Sequence, residues 1–291
     1  MAELIVDCAL DALKDGALSI PILFIAYLLM ELLERSRRLD ESILHAYSRK
    51  AGPALGGLLG VIPQCGISGA AATLFSTGTI TVGTMLAVFF ATSDEMLPIM
   101  LSAMTDENGI AASSIFKIVA GKAALGIALG YLVDAVAGRF FRRRKDIHSF
   151  CEREHCECGE EEGSALHAAL MHTLKIALLL IAVNFALNLL LELAGAERLS
   201  ATLFARPVTG ELLLALLGLI PNCSISVIIT QAYLSGIIGL GGLFAGLLSN
   251  AGIGMLVLFR TNRDLRENLT VVGISFALSA AAGILIGLIA G

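Results

Sequence analysis

The stretch Leu58-Leu59-Gly60-Val61-Ile62-Pro63-Gln64-Cys65-Gly66-Ile67-Ser68 returns 158 residues later as Leu216-Leu217-Gly218-Leu219-Ile220-Pro221-Asn222-Cys223-Ser224-Ile225-Ser226. At that one offset, twelve positions between 58 and 91 are identical. Each copy interrupts an apolar run with proline, a side-chain amide and cysteine, then small and hydroxyl residues. In water such a break is a turn. In hydrocarbon it frees backbone polar groups that must face protein or a wet cavity. Paired interruptions in corresponding halves are the strongest sequence pointer to a transporter's binding site.

The surroundings are those of a membrane. Hydrophobic residues make up 56% of the chain, charged residues only 15%, and mean hydropathy is +0.83. Several uncharged apolar stretches reach the length of about 20 residues that crosses about 30 Å of hydrocarbon. The first, Ala17 to Leu33, follows an acidic leader and lacks a small-residue cleavage site, so it reads as a retained span. Net charge is −5 and the basic residues cluster beside apolar segments, which argues against a nucleic-acid partner. Of the six cysteines, Cys65 and Cys223 lie in apolar runs and Cys151, Cys156 and Cys158 share one loop. Reduced thiols suit that distribution better than disulfides.

Apolar segments fall at 17–33, 54–76, 79–101, 114–137, 168–194, 211–235, 237–259 and 269–290. If all eight cross, loops on the two sides carry seven and ten Lys/Arg, almost no orientation signal. If 54–76 and 211–235 are re-entrant hairpins, the asymmetry becomes fourteen against three. That places 34–50, 138–165 and 260–268 in the cytoplasm and the N-terminus outside, in a plasma or inner membrane. The expected fold is an all-α polytopic membrane protein with an inverted repeat. Residues 1–137 form the first half, 138–165 a cytoplasmic linker and 166–291 the second half. Each half then has three spans and one hairpin, with the Pro-amide-Cys tips near the midplane.

The chemistry-bearing residues follow from this frame. Gln64 and Asn222 offer amide donors and acceptors, Cys65 and Cys223 offer soft sulfur, and Ser68, Ser224 and Ser226 offer hydroxyls. Ser93-Asp94-Glu95 lies inside an apolar run, where a carboxylate costs at least about 2.5 kcal/mol and so marks a functional position. Asp94 is the expected cation ligand or proton carrier, with Glu95 beside it and Lys122 as counter-ion. At the same offset the second half has Gly252 and Ile253, preceded by Ser249 and Asn250, so one half supplies charge and the other an amide. A central metal site is expected from Cys65, Asp94 and Cys223. The linker's His148, Cys151, His155, Cys156 and Cys158 suit a soft or borderline metal, and its Arg142–Lys145 run suits the anionic leaflet. No cofactor is required; the partners are the bilayer and the metal, and a homodimer is compatible.

The chain resembles the ten-helix heavy-metal exporters related to the ArsP-type arsenical-efflux permeases, a group that includes manganese transporters. The resemblance rests on the Ile62-Pro63-Gln64-Cys65 and Ile220-Pro221-Asn222-Cys223 tips, the Ser93-Asp94-Glu95 step and the His/Cys loop. It implies export of a metal or metalloid by alternating access and no enzymatic activity. A second likeness, to undecaprenyl-pyrophosphate phosphatases, is architectural. Their Pro-Gly-x-Ser-Arg-Ser-Gly motif lines up with Pro63-Gln64-Cys65-Gly66-Ile67-Ser68-Gly69, but isoleucine fills the arginine position in both repeats. Pyrophosphate would lack its bidentate partner.

Overall fold

The structure, a computed structural model, describes residues 41–93, 95–104, 110–137 and 208–290, with isolated positions in 13–28 and 170–186; side chains are described from residue 51 on, except that of Cys65. Helices are the regular elements among the described residues, which contain no strand. Among the described residues five helices can be followed before the linker: α1 (Glu41–Gly60), α2 (Cys65–Ser76), α3 (Val82–Ala91), α4 (Met96–Ala103) and α5 (Ala112–Val136). Five follow it: α6 (Thr209–Gly218), α7 (Cys223–Leu234), α8 (Leu240–Ser249), α9 (Ile253–Thr261) and α10 (Leu265–Ala290).

The duplication read in the sequence extends to the backbone. Gly60 ends α1 and Gly218 ends α6; Cys65 begins α2 and Cys223 begins α7. After each tip helix the chain reverses through a left-handed glycine, Gly78 at φ 79° and Gly236 at φ 70°, a conformation that a Cβ disfavours. The bonds closing these turns match one for one. Thr79 N–H reaches the Leu74 carbonyl and Ile237 N–H reaches the Ala232 carbonyl, each at 2.9 Å.

Among the described residues four segments have the length and composition to cross a membrane: Val82–Ala103, Ala112–Val136, Leu240–Thr261 and Leu265–Ala290. The tip helices α2 and α7 have 12 residues each. At 1.5 Å per residue that is about 18 Å, too short to span. The expected spans 79–101 and 237–259 fall on two of these segments, each divided into two helices, at Thr92–Glu95 and at Asn250–Gly252. One expectation needs correction. The arm leading into the first tip was expected from about residue 54, yet α1 starts at Glu41, carrying Pro53 within it. Its counterpart α6 is half as long, with 10 residues. The expected spans 17–33 and 168–194 are described at too few positions to follow.

Small residues hold the long helices at close range. α3 packs against α1 and α5, and α8 packs against α6 and α10. A Cβ on Gly60 would meet the Val88 carbonyl at 2.7 Å, and one on Gly283 would meet the Gly241 carbonyl at 2.7 Å. Such approaches replace the hydrophobic drive that lipid does not supply. α3 is buried along its whole length, Val82 to Ala91. Asp134 of α5 caps it by accepting from Thr81 Oγ1 at 2.6 Å and Gly83 N–H at 2.8 Å. The halves meet by exchange: α2 lies against α9, and α7 lies against α4. Ser76 and Thr261 share a hydroxyl hydrogen bond of 2.7 Å across the first of these contacts.

Candidate functional site

The breaks converge. A small cavity is lined by Thr92, Ser93 and Met96 from the α3–α4 break and by Lys122 of α5. The second half contributes Cys223 and Ser226 at the start of α7, and Leu247, Asn250 and Gly252 around the α8–α9 break. Its free volume of about 10 Å³ is room for about one water. Both halves therefore build one site, and it lies where helical hydrogen bonding is interrupted.

Each break has its own local cause. Thr92, at φ −52° and ψ 127°, ends α3 in an extended turn, and Glu95 stands as the N-cap of α4. Gly252 takes φ 53° and ψ −138°, a region open essentially to glycine alone, and so turns the chain from α8 into α9. The tips share an extended cap residue but not its chemistry. Asn222 closes its turn by accepting from Ser224 N–H at 2.7 Å, whereas Gln64, one methylene longer, makes no such cap bond.

Lys122 is 2% exposed, and its Nζ donates to the carbonyl of Thr92, one of the groups freed at the first break. An ammonium at that depth needs such partners. The hydroxyls of the lining turn their protons away from the cavity. Thr92 donates to the Val88 carbonyl at 2.7 Å, Ser93 to Ala91 at 3.0 Å and Ser226 to Cys223 at 2.7 Å. What they present inward is oxygen lone pairs. Cys223, buried and in no disulfide, and the Met96 thioether add sulfur. Asn250 orders the second break, its Oδ1 accepting from Gly252 N–H at 2.8 Å.

Of the residues expected at the site, Ser93, Lys122, Cys223, Ser226 and Asn250 come together here. Asn222 is buried beside them, its carbonyl facing Asn250 Nδ2 at 3.5 Å. Ser68 is not in the lining: it is buried against α9, where a Cβ on Gly254 would meet Ser68 Cβ at 2.8 Å. Gln64 is half-buried at its tip and Glu95 half-buried at the start of α4, and neither lines the cavity. Asp94, the Cys65 side chain, and the linker's His148, Cys151, His155, Cys156 and Cys158 lie outside the described residues. Among the described residues no group of three His, Cys, Asp or Glu side chains is placed to hold a metal. Thr92, Met96, Leu247 and Gly252 were missed from sequence. The helix break at Ser93-Asp94 was the signal that would have found the first two.

A family model described as "Putative, 10TM heavy-metal exporter" (ArsP_2) matches residues 1–197. The chain belongs to this family. The match takes in the first half, the linker and the apolar segment after it, and ends before the second tip. No curated protein and no solved structure matches the chain. As a multi-pass member of an exporter family, the chain has the bilayer and a metal as its partners. The rival phosphatase motif gains nothing from the geometry. Ile225, at the position of the motif's arginine in the second repeat, is fully buried in the apolar core.

Proposed function

We propose that the chain exports a soft metal ion or trivalent metalloid from the cytoplasm, passing it through the cavity between the two halves. One observation carries this reading. Thr92, Ser93 and Ser226 all commit their protons to backbone carbonyls, so the cavity offers oxygen lone pairs beside the sulfur of Cys223 and Met96. Sulfur with neutral oxygen suits a trivalent arsenical or a soft cation better than manganese, which prefers carboxylate and carbonyl oxygen. The buried Lys122 ammonium disfavours a doubly charged guest unless a carboxylate offsets it. Asp94 and Glu95 stand next to the break to do so, and with them a divalent metal becomes the second substrate class.

The mechanism is alternating access. The tips enter as re-entrant hairpins from opposite faces, so the halves form an inverted repeat about an axis in the membrane plane. The charge asymmetry of the loops and the short tip helices support this arrangement. The cytoplasmic His/Cys linker captures metal and tunes transport without forming part of the route.

Expression in a metal-sensitive host tests the reading. Wild type should lower cell-associated arsenic or cadmium relative to Asp94→Asn and Cys223→Ser variants. Cys223→Ser should lose protection against arsenite more than against manganese. Equal accumulation of every metal in wild type and vector control would sink the proposal. Hydrolysis of a polyprenyl pyrophosphate by the purified protein would favour the phosphatase.

A further inference from the structure

At the sequence offset of 158, Lys122 corresponds to Ala280. Packing gives a different correspondence for the last helix. A Cβ on Gly130 would meet the Gly83 carbonyl and Ala87 Cβ, and one on Gly283 would meet the Gly241 carbonyl and Ala245 Cβ. In space Gly130 therefore matches Gly283, an offset of 153 (283 less 130). Under that register Lys122 matches Ser275, and Gly126 matches Ser279. Antiparallel packing of α8 and α10, with Gly283 on Ala245, then sets Ser249 opposite Ser279, with Ser275 one turn further along the same face of α10.

All three serines are fully buried, and their Oγ atoms have no hydrogen-bond partner. Helical hydroxyls elsewhere in the chain donate to the carbonyl one turn back: Ser76 to Ala72 at 2.8 Å, Thr230 to Ser226 at 2.7 Å, Thr261 to Val257 at 2.8 Å. Ser249, Ser275 and Ser279 do not. Three desolvated hydroxyls within about one helical turn are costly unless something binds them. None of them lines the cavity between the halves.

We propose that Ser249, Ser275 and Ser279, with the carbonyl end of α8, form a site for a small monovalent cation, sodium in the first instance. The first half shows what such a level accommodates: there the Lys122 ammonium sits on the Thr92 carbonyl, and Asn250 is the counterpart of Thr92. In the second half the lysine becomes serine, and a bound ion supplies the charge that the ammonium supplies in the first. Hydroxyl and carbonyl oxygens are hard, neutral ligands, and the C-terminal end of α8 adds a negative dipole end. With no carboxylate in the set, a single charge is matched and a double charge is not. The trio has no sulfur or imidazole to hold a soft metal, which separates it from the cavity. The ion's role, as the coupling ion for export, rests on the transport reading; its binding does not.

The full-length protein in detergent tests the site directly. Thermal unfolding is compared in sodium, lithium, potassium and choline chloride at one ionic strength. Sodium, and lithium less strongly, should raise the midpoint by at least about 3 °C at saturating concentration, with potassium and choline equal to each other. Ser275→Ala and Ser279→Ala should remove that shift and the binding of radiolabelled sodium. Ser275→Lys should give a protein whose stability ignores sodium. If the alanine variants do not fold, radiolabelled sodium binding to wild type, competed by lithium and not by choline, carries the test. Equal midpoints in all four salts would overturn the proposal and assign the hydroxyls to a structural water. Sodium binding that survives the triple alanine variant would overturn it as well. Sodium stabilisation in a protein that exports no metal would sink the transport reading and leave this site standing.

Discussion

The two helix breaks at the centre of the molecule occupy equivalent places and are built from different materials. At Thr92–Glu95 the sequence carries two acidic residues, and the freed Thr92 carbonyl is met by the Lys122 ammonium. At Asn250–Gly252 it opens on an amide and a glycine, and the corresponding level of α10 offers only the Ser275 and Ser279 hydroxyls. A duplicated scaffold thus carries one charged break and one neutral break. Geometry is what the repeat conserves; charge is what it distributes. On the export reading, fixed charge on one side and neutral ligands on the other give the two halves different parts in holding an ion.

The comparison can be broken most decisively at Lys122. Lys122→Met keeps the length of the side chain and removes the charged donor, a bond worth about 1.5–3 kcal/mol. We expect export in everted vesicles to fall by about tenfold or more at normal expression. Full activity in that variant would reduce the charged break to a structural device. Backbone strain separates the breaks next. Gly252→Ala should lower stability by about 1–3 kcal/mol because its φ of 53° with ψ −138° excludes a side chain. Ser93→Ala, which removes one hydroxyl bond at the other break, should cost no more than about 1.5 kcal/mol. Thermal unfolding of the two purified variants measures the ordering, and its reversal would show that the glycine turn is not what holds the second break. The smallest expected difference concerns the outer turns. Gly78→Ala and Gly236→Ala should each cost about 1–2 kcal/mol and agree within error, since both glycines are left-handed in matching turns. Unequal losses would mark the outer turns as a further place where the halves diverge.

Much of this was legible in the sequence. The two Pro-amide-Cys tips announced themselves because they interrupt otherwise apolar runs, and the offset of 158 places the ends of α1 and α6 and the starts of α2 and α7 in register. Lys122 could be singled out because a buried amine among alanines and glycines is expensive. The breaks within 82–103 and 240–261 were harder. The first is marked by Ser93-Asp94-Glu95, but at the second hydropathy stays high and the break depends on a dihedral angle at Gly252 that composition does not encode. Ser68 misled for a related reason: it follows the first tip as Ser226 follows the second, but the cross-half contact turns it toward α9. The match of Lys122 to Ser275 was invisible because the last helices are shifted by five residues relative to the rest of the repeat. Only the contacts of Gly83, Gly130, Gly241 and Gly283 reveal it.

The exchange of short helices has a consequence for how such a molecule can exist at all. α2 finds its main partner in α9, and α7 in turn packs on α4, so each half completes its packing with a piece of the other. One half alone would leave a tip helix and the seat for its partner's tip both uncovered. Two identical halves would close on each other, because the same pair of surfaces appears on both sides of the contact. In the packing of its described helices the chain behaves as two partners joined into one polypeptide, free to evolve apart while they remain bound.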